Sequence, residues 1–155
     1  LHGASGAQFA FVAPINDGDR VPLFERFFPG GIFSIRGFEL RSLGPKAQVA
    51  SSTDSGGYTT NDFVYGGNKQ IIFNAEYIFP IIRAANIKGV FFFDIGNAFD
   101  NGESMFTITG QRQSAGFGIR WFSPIGPLRF EWGFPLDKKE DESSVVFDFT
   151  IGSIF

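Results

Sequence analysis

Apolar and polar residues alternate along much of this chain, and this alternation limits its fold more than any other feature. Between residues 71 and 79, Phe73 and Tyr77 share one parity, while Asn74 and Glu76 share the other. Successive side chains of a β-strand point to opposite faces, so a period of two residues predicts strands with one apolar face. Six stretches follow this pattern, at about 4–13, 66–79, 89–100, 113–122, 127–135 and 144–155.

The two faces of these predicted strands point to a membrane barrel. One face is rich in Phe and Trp, and the opposite face carries Gly and Ala beside its charges. Aromatic side chains suit contact with lipid, and small residues suit the concave inside of a curved sheet. A soluble β-sandwich is the alternative, because its core would also take up the aromatic face.

Composition and connections narrow the class of protein further. Charged residues make up 19% of the chain, against roughly a quarter in a typical soluble domain. The net charge of -3 gives no basic surface for nucleic acid, and Cys is absent while His2 is the single histidine. We therefore predict no nucleic-acid partner, metal site, cofactor, catalytic residue or enzyme activity. No apolar run reaches the roughly 18 residues of a membrane-spanning helix.

The connections between predicted strands alternate between long polar and short ones, which is typical of a transmembrane barrel. Six strands cannot close a barrel, because the smallest has about eight and an open edge in lipid leaves backbone groups unpaired. Either the chain is the tail of a larger barrel or it assembles with other chains, and we favour the tail. We therefore predict an all-β fold over residues 1–155: one antiparallel transmembrane β-barrel fragment with a long loop at about 14–65. The polar insert 50–62 within this loop has no assigned role.

Two acidic residues on the polar face are predicted to lie close together. Symmetry about the short connection near residue 85 places Glu76 roughly opposite Asp94, with a register slip of two residues as the alternative, and like charges facing each other destabilise a sheet. Arg36 could engage both carboxylates, because a guanidinium offers several donors. The alternatives are that water solvates each acid separately and that Arg36 is a surface residue beside a turn glycine. Arg120 is predicted to face Glu131 as a self-contained structural pair.

The segment Ile35-Arg36-Gly37-Phe38 resembles the Val/Ile-Arg-Gly-Phe/Tyr motif of a known superfamily. This superfamily comprises outer-membrane protein insertases and two-partner secretion transporters, and the motif lies at the tip of their sixth extracellular loop. The surrounding sequence resembles the BamA-like assembly factors in particular. The supporting segments are Glu25-Arg26-Phe27-Phe28, Gly30-Gly31, Arg41-Ser42-Leu43-Gly44-Pro45, Gly66-Gly67-Asn68, Phe93-Asp94-Ile95-Gly96, Trp121-Phe122-Ser123-Pro124-Ile125-Gly126-Pro127-Leu128 and the terminal Phe155.

The resemblance implies a fold and a set of site residues. It implies the last six strands of a barrel of about sixteen, with POTRA domains and earlier strands upstream. The motif loop would fold into the barrel, where Arg36 engages Glu76 and Asp94. The last strand would carry the C-terminal targeting signal and form one side of the closing seam. The residues concerned in that strand are Phe147, Phe149, Ile151, Gly152 and Phe155.

The function implied is folding and insertion of β-barrel proteins through a lateral seam in the bacterial outer membrane. The implied partners are membrane lipid, unfolded outer-membrane β-barrel clients and accessory assembly lipoproteins. One alternative is a polypeptide transporter of the two-partner secretion type. The other is the membrane domain of a larger fused protein, such as a patatin-like phospholipase, whose catalytic residues would lie upstream.

Overall fold

The computed structural model describes residues 2–12, 21–52, 58–104, 106, 110–140 and 142–152. These residues form eight β-strands and one short 3-10 turn at Leu23–Glu25. The strands are β1 (His2–Phe11), β2 (Lys46–Ser52), β3 (Tyr58–Val64), β4 (Lys69–Ile82), β5 (Ile87–Phe99), β6 (Arg112–Ser123), β7 (Gly126–Pro135) and β8 (Val146–Ile151). Within the described ranges no helix is long and apolar enough to cross a membrane.

Six strands form one antiparallel sheet in the order β1-β4-β5-β6-β7-β8, and β2 and β3 form a separate hairpin. The sheet is the open wall of a barrel, in which β1 and β8 are the outer strands among the described residues. A sandwich would require two sheets packed face to face. The sandwich alternative is therefore wrong, and the prediction of an antiparallel barrel fragment is confirmed.

Alternation places the apolar side chains as the sequence predicts. In β5, Phe91 is 55% exposed on the outer face, whereas its neighbour Phe92 is 4% exposed on the inner face. The outer face of the sheet also presents Phe73, Tyr77, Phe93, Phe117, Ile119, Trp121, Phe147, Phe149 and Ile151. This broad aromatic surface is the pattern of a lipid-facing barrel wall.

The connections follow the predicted alternation as well. At one end of the sheet, residues 83–86 join β4 to β5, and Pro124 and Ile125 join β6 to β7. At the other end lie the three longer connections, which follow β1, β5 and β7. Short turns at one end and long loops at the other are characteristic of membrane barrels.

The long loop and the last strand differ from their predicted bounds. The stretch 14–65 contains the β2–β3 hairpin, which takes up most of the polar insert 50–62 and pairs Val49 with Asn61. The last strand begins at Val146 instead of 144, and it ends at Ile151, where Gly152 with a φ of 73° leaves the extended conformation. Phe155 lies outside the described residues.

The loop between β1 and β2 folds back onto the inner face of the sheet. Phe27 forms a two-way backbone bridge with Gly67, which ties the loop to the start of β4. Beyond this bridge, Ile35, Phe38 and Leu43 form a buried cluster with Ile72 of β4. The hydrophobic core of the described chain therefore lies between the loop and the wall.

Candidate functional site

The tip of this loop is a tight, hydrogen-bonded turn. The backbone N–H of Gly31 donates to the carbonyl oxygens of Ile35, at 3.2 Å, and Phe38, at 3.0 Å. The N–H of Gly30 donates to Oγ of Ser34 at 2.8 Å. Gly31 and Gly37 have φ values of 94° and 84°, a backbone region that glycine adopts without strain. These bonds fix the direction in which Arg36 leaves the loop.

Arg36 points into the wall and is 2% exposed. Its Nε and Nη2 donate to the two carboxylate oxygens of Asp94, at 2.7 and 2.6 Å. The backbone N–H of Arg36 also donates to Asp94, at 3.0 Å. Its Nη1 donates to Glu76 and, at 3.4 Å, to Glu131. One loop side chain is thus bonded to strands β4, β5 and β7.

Two further arginines from the wall complete a network around Arg36. Arg120 donates to both carboxylate oxygens of Glu76, at 3.0 and 2.6 Å, and to Glu131 at 3.0 Å. Arg129 donates to the two oxygens of Glu131 at 2.7 and 2.8 Å. The prediction that Arg120 and Glu131 form a self-contained pair is therefore wrong. Together with Asp94, these residues form one hydrogen-bonded network of three guanidinium groups and three carboxylates.

The cross-strand register differs from the symmetric one that the sequence suggested. Glu76 lies opposite Phe92, and Asp94 lies opposite Asn74. The hairpin closes between Ile82 and Ile87, and an irregularity at residue 81 takes up one more residue of β4. The two acids are therefore diagonal neighbours instead of direct partners, and Arg36 spans the diagonal.

The second hairpin is also closed more tightly than the sequence suggested. Ser123 pairs with Gly126, so that Arg120 lies opposite Arg129 and Glu131 lies opposite Gly118. Two arginines in direct opposition would repel each other without nearby carboxylates. Glu131 accepts hydrogen bonds from both, which offsets this repulsion.

The surroundings keep the Arg36 guanidinium charged. Its Cζ lies 3.9 Å from the centre of the Phe92 ring, within the range of a cation–π contact. Burial alone would lower the pKa of Arg36, but the hydrogen bonds and charges of Asp94, Glu131 and Glu76 raise the pKa above its ordinary value. Arg36 is therefore a permanent cation that the acids of the wall hold in place.

The loop tip also fits the wall closely through its backbone. A Cβ atom placed on Gly37 would lie 3.0 Å from the carbonyl carbon of Gly133 and 3.1 Å from Cβ of Ser114. Asn74 adds a polar contact, since its Nδ2 donates at 2.8 Å to both the carbonyl oxygen of Ser34 and Asp94. The close backbone contact at Gly37 and the hydrogen bonds of Arg36 therefore hold the loop tip at the same position on the wall.

The remaining predicted site residues lie apart from this network. Phe147, Phe149 and Ile151 are about half exposed on the outer face of β8. Gly152 follows the strand and donates its N–H to the carbonyl oxygen of Pro127 at 2.8 Å. The structure therefore does not bring the last strand's apolar residues together with the loop.

Sequence reasoning missed Arg129 and Asn74 as members of the site, and it missed Arg112, a buried arginine outside this network. Arg129 and Glu131 are two residues apart in a strand, a spacing that places both side chains on one face and could have indicated their pairing. Arg112 is the first residue of β6 and shares the inward parity of Arg120, so a strand started one residue earlier would have included it. Asn74 also has inward parity, but no sequence signal links it to Ser34.

Comparisons with known proteins show the family of this chain. The family model described as the Omp85 superfamily domain matches residues 2–155. The outer membrane protein assembly factor BamA of Nitratidesulfovibrio vulgaris is 36% identical over 157 residues, which cover 100% of this chain and 18% of that protein. BamA of Neisseria meningitidis is 32% identical over 161 residues, which cover 87% of this chain and 19% of that protein.

A solved structure gives the same result for the fold. The crystal structure of BamA from Haemophilus ducreyi lacking POTRA domains 1-3 superposes with a TM-score of 0.70 at 26% identity, covering 97% of this chain and 34% of that one. The chain thus spans about a fifth of the length of the curated relatives it matches. Its sequence and its open antiparallel wall agree with one family, and the chain belongs to the Omp85 superfamily.

Proposed function

We propose that this chain forms the C-terminal barrel wall of an outer-membrane assembly factor that folds and inserts β-barrel proteins. The observation that carries the proposal is the bonding of Arg36, on a loop, to acids of β4, β5 and β7. The similarity to proteins named as outer membrane assembly factors supports the same function. The chemistry is non-covalent, so the protein acts as a folding catalyst without being an enzyme in the usual sense.

In this proposal the Arg36 network is a latch that holds the loop inside the barrel. A buried guanidinium shared by several carboxylates is expensive to remove, because each acid would then be buried without its partner. The latch therefore keeps the wall in its working curvature while neighbouring strands rearrange. Ile35 and Phe38 stabilise the same state by burying their side chains between loop and wall.

The proposed route of insertion is a lateral seam along β8. The outer edge of a strand carries N–H and C=O groups that can pair with an incoming strand. β8 is short, at six residues, and presents apolar side chains on the lipid side. A client strand could therefore pair with this edge and enter lipid along the aromatic surface of the wall.

The partners follow from this route. The clients are unfolded outer-membrane β-barrel proteins, and the aromatic outer face contacts the lipid of the bacterial outer membrane. We include accessory assembly lipoproteins as partners of the complete protein, since they would deliver or position clients.

The proposal is tested with the full-length protein in lipid vesicles. Arg36→Ala and Arg36→Lys are compared with Arg41→Ala, which removes an exposed arginine of the same loop that stacks on Phe28. We expect both Arg36 variants to slow client folding, because lysine keeps the charge but lacks the guanidinium fork, while Arg41→Ala behaves as wild type. Client folding at the wild-type rate in Arg36→Ala would refute the latch. If the unmodified protein inserts no clients but passes a polypeptide across the membrane, it is a secretion transporter instead.

A further inference from the structure

A second arginine cluster lies at the end of the wall that carries the long connections. Arg112, the first residue of β6, is 7% exposed. Its Nη1 and Nη2 donate to the two carboxylate oxygens of Glu142 at 2.8 and 2.6 Å. Its Nε donates to the carboxylate of Asp137 at 2.6 Å, and Nη2 also donates to the Asp137 carbonyl oxygen at 3.2 Å. One guanidinium thus binds both ends of the β7–β8 connection.

The connection itself is folded around these acids. The N–H of Lys139 donates to the Glu142 carboxylate at 3.0 Å, and the N–H of Glu142 donates to the Lys139 carbonyl oxygen at 3.1 Å. At the start of the β7–β8 connection, the Asp137 carboxylate accepts a hydrogen bond from the N–H of Gln113 at 3.2 Å. Removing Arg112 would therefore leave two carboxylates without the cation around which this connection is arranged.

Arg112 also contacts the loop that carries Arg36. Its Cζ lies 4.7 Å from the centre of the Phe38 ring, a cation–π distance. Phe38 is 2% exposed and follows Gly37 directly. A cavity of about 150 Å³ next to this contact is lined by Phe38, by Glu142 and by Val146, the first residue of β8. The loop tip, the β7–β8 connection and the start of β8 therefore meet at one junction.

We propose that Arg112 is a positioning residue that couples the seating of the loop tip to the ordering of the β7–β8 connection and the start of β8. The carboxylates hold the guanidinium in one position, and that position places its Cζ over the Phe38 ring. When the connection loosens, Arg112 turns away and the loop tip loses the contact. The coupling itself does not depend on the proposed function. Its consequence rests on that function: opening of the β8 edge would loosen the latched loop.

Amide hydrogen exchange of the full-length protein in lipid nanodiscs tests this coupling. We expect Arg112→Gln and Glu142→Gln each to speed exchange by about tenfold or more in two segments, 29–43 and 136–146. Lys138→Gln is the matched control, because it removes the bond from Lys138 to Ser144 in the same connection without touching Arg112. This control should leave segment 29–43 at its wild-type rate.

The Phe38 ring provides the decisive variant. With Phe38→Leu already present, Glu142→Gln should still speed exchange in 136–146 but should add no change in 29–43. If Arg112→Gln and Glu142→Gln loosen only 136–146 in the otherwise wild-type protein, the coupling is refuted. Should Arg112→Gln fail to fold, the milder Glu142→Gln gives the same comparison. Hydrogen exchange is measured without a client protein. The coupling can therefore be refuted while client folding still depends on Arg36, and the coupling can hold while client folding does not depend on Arg36.

Discussion

The backbone of Gly37, at the loop tip, lies directly against the backbone of Gly133 in β7. A Cβ atom on Gly37 would be 3.0 Å from the Gly133 carbonyl carbon, and one on Gly133 would lie even closer to the Gly37 nitrogen. The contact leaves no space for a side chain on either residue. Gly37 also has a φ of 84°, which other residues rarely adopt. The glycine in the wall is thus the steric counterpart of the glycine in the motif.

The first prediction follows from this contact. Gly133→Ala should displace the loop tip from the wall, because the added methyl group would overlap backbone atoms that cannot move aside as a flexible side chain can. Exchange or protease cleavage within 29–43 of the full-length protein would report the displacement. Gly6→Ala is the control, since a Cβ there meets no atom within 4 Å. A loop that stays protected in Gly133→Ala would show that the contact does not position it.

The second prediction concerns Asp94, the acid that accepts the most hydrogen bonds from Arg36. Asp94 is 0% exposed and accepts from Arg36 through Nε, Nη2 and the backbone N–H. Asp94→Asn keeps the size but removes the charge, and its amide group would face the Arg36 donors. We expect a loss of about 3–5 kcal/mol in the free energy of unfolding, measured by urea titration of the full-length protein in lipid vesicles.

A substitution at an exposed hydrogen bond of the same loop gives a reference value for the effect of Asp94→Asn. Ser42→Ala removes the bond from Oγ of Ser42 to the carbonyl oxygen of Glu39, which is exposed on the same loop. We expect it to change the free energy of unfolding by less than about 1 kcal/mol. Equal effects of Asp94→Asn and Ser42→Ala would mean that the buried ion pair does not hold the loop.

Much of this arrangement follows from the sequence. The period of two residues assigns each strand residue to a face, and Phe91 and Phe92 lie on the faces that it predicts. The shared inward parity of Glu76 and Asp94 likewise favoured a cationic partner. What parity cannot supply is register, because a shift of two residues keeps every side chain on its face. Both hairpins differ from the symmetric prediction in this way.

The sequence predicted two separate clusters, Arg36 with Glu76 and Asp94 and Arg120 with Glu131, and the structure joins them into one. Strand parity could not show this either. Arg120 and Glu76 are on strands that are not adjacent, β6 and β4, and their side chains meet across β5 at 2.6 Å. A contact between non-adjacent strands depends on the register of both hairpins and leaves no local signal in the sequence. Gly133 shows the same limit, since a glycine in a strand indicates close approach without naming the partner.

The third prediction tests whether these residues act as one unit. Because Arg120 and Glu76 are bonded directly, Arg120→Gln and Glu76→Gln should have non-additive effects on the free energy of unfolding. We expect an interaction of about 0.5–3 kcal/mol in a double-mutant cycle. Lys138→Gln combined with Glu76→Gln is the control, because Lys138 bonds to Ser144 in the β7–β8 connection and has no bond to the network. Additive effects in both cycles would contradict a shared network.

The last prediction tests the assignment of the aromatic face to lipid. Phe91 is 55% exposed in the middle of the wall's outer face. Phe91→Arg should lower the free energy of unfolding in a bilayer by about 2–4 kcal/mol, because the charge would lie in hydrocarbon. Phe106→Arg is the matched control, since Phe106 is 75% exposed in the β5–β6 connection, where water can solvate the charge. Urea titration of the full-length protein in vesicles measures both. Equal stability of the two variants would mean that Phe91 faces water or protein instead of lipid.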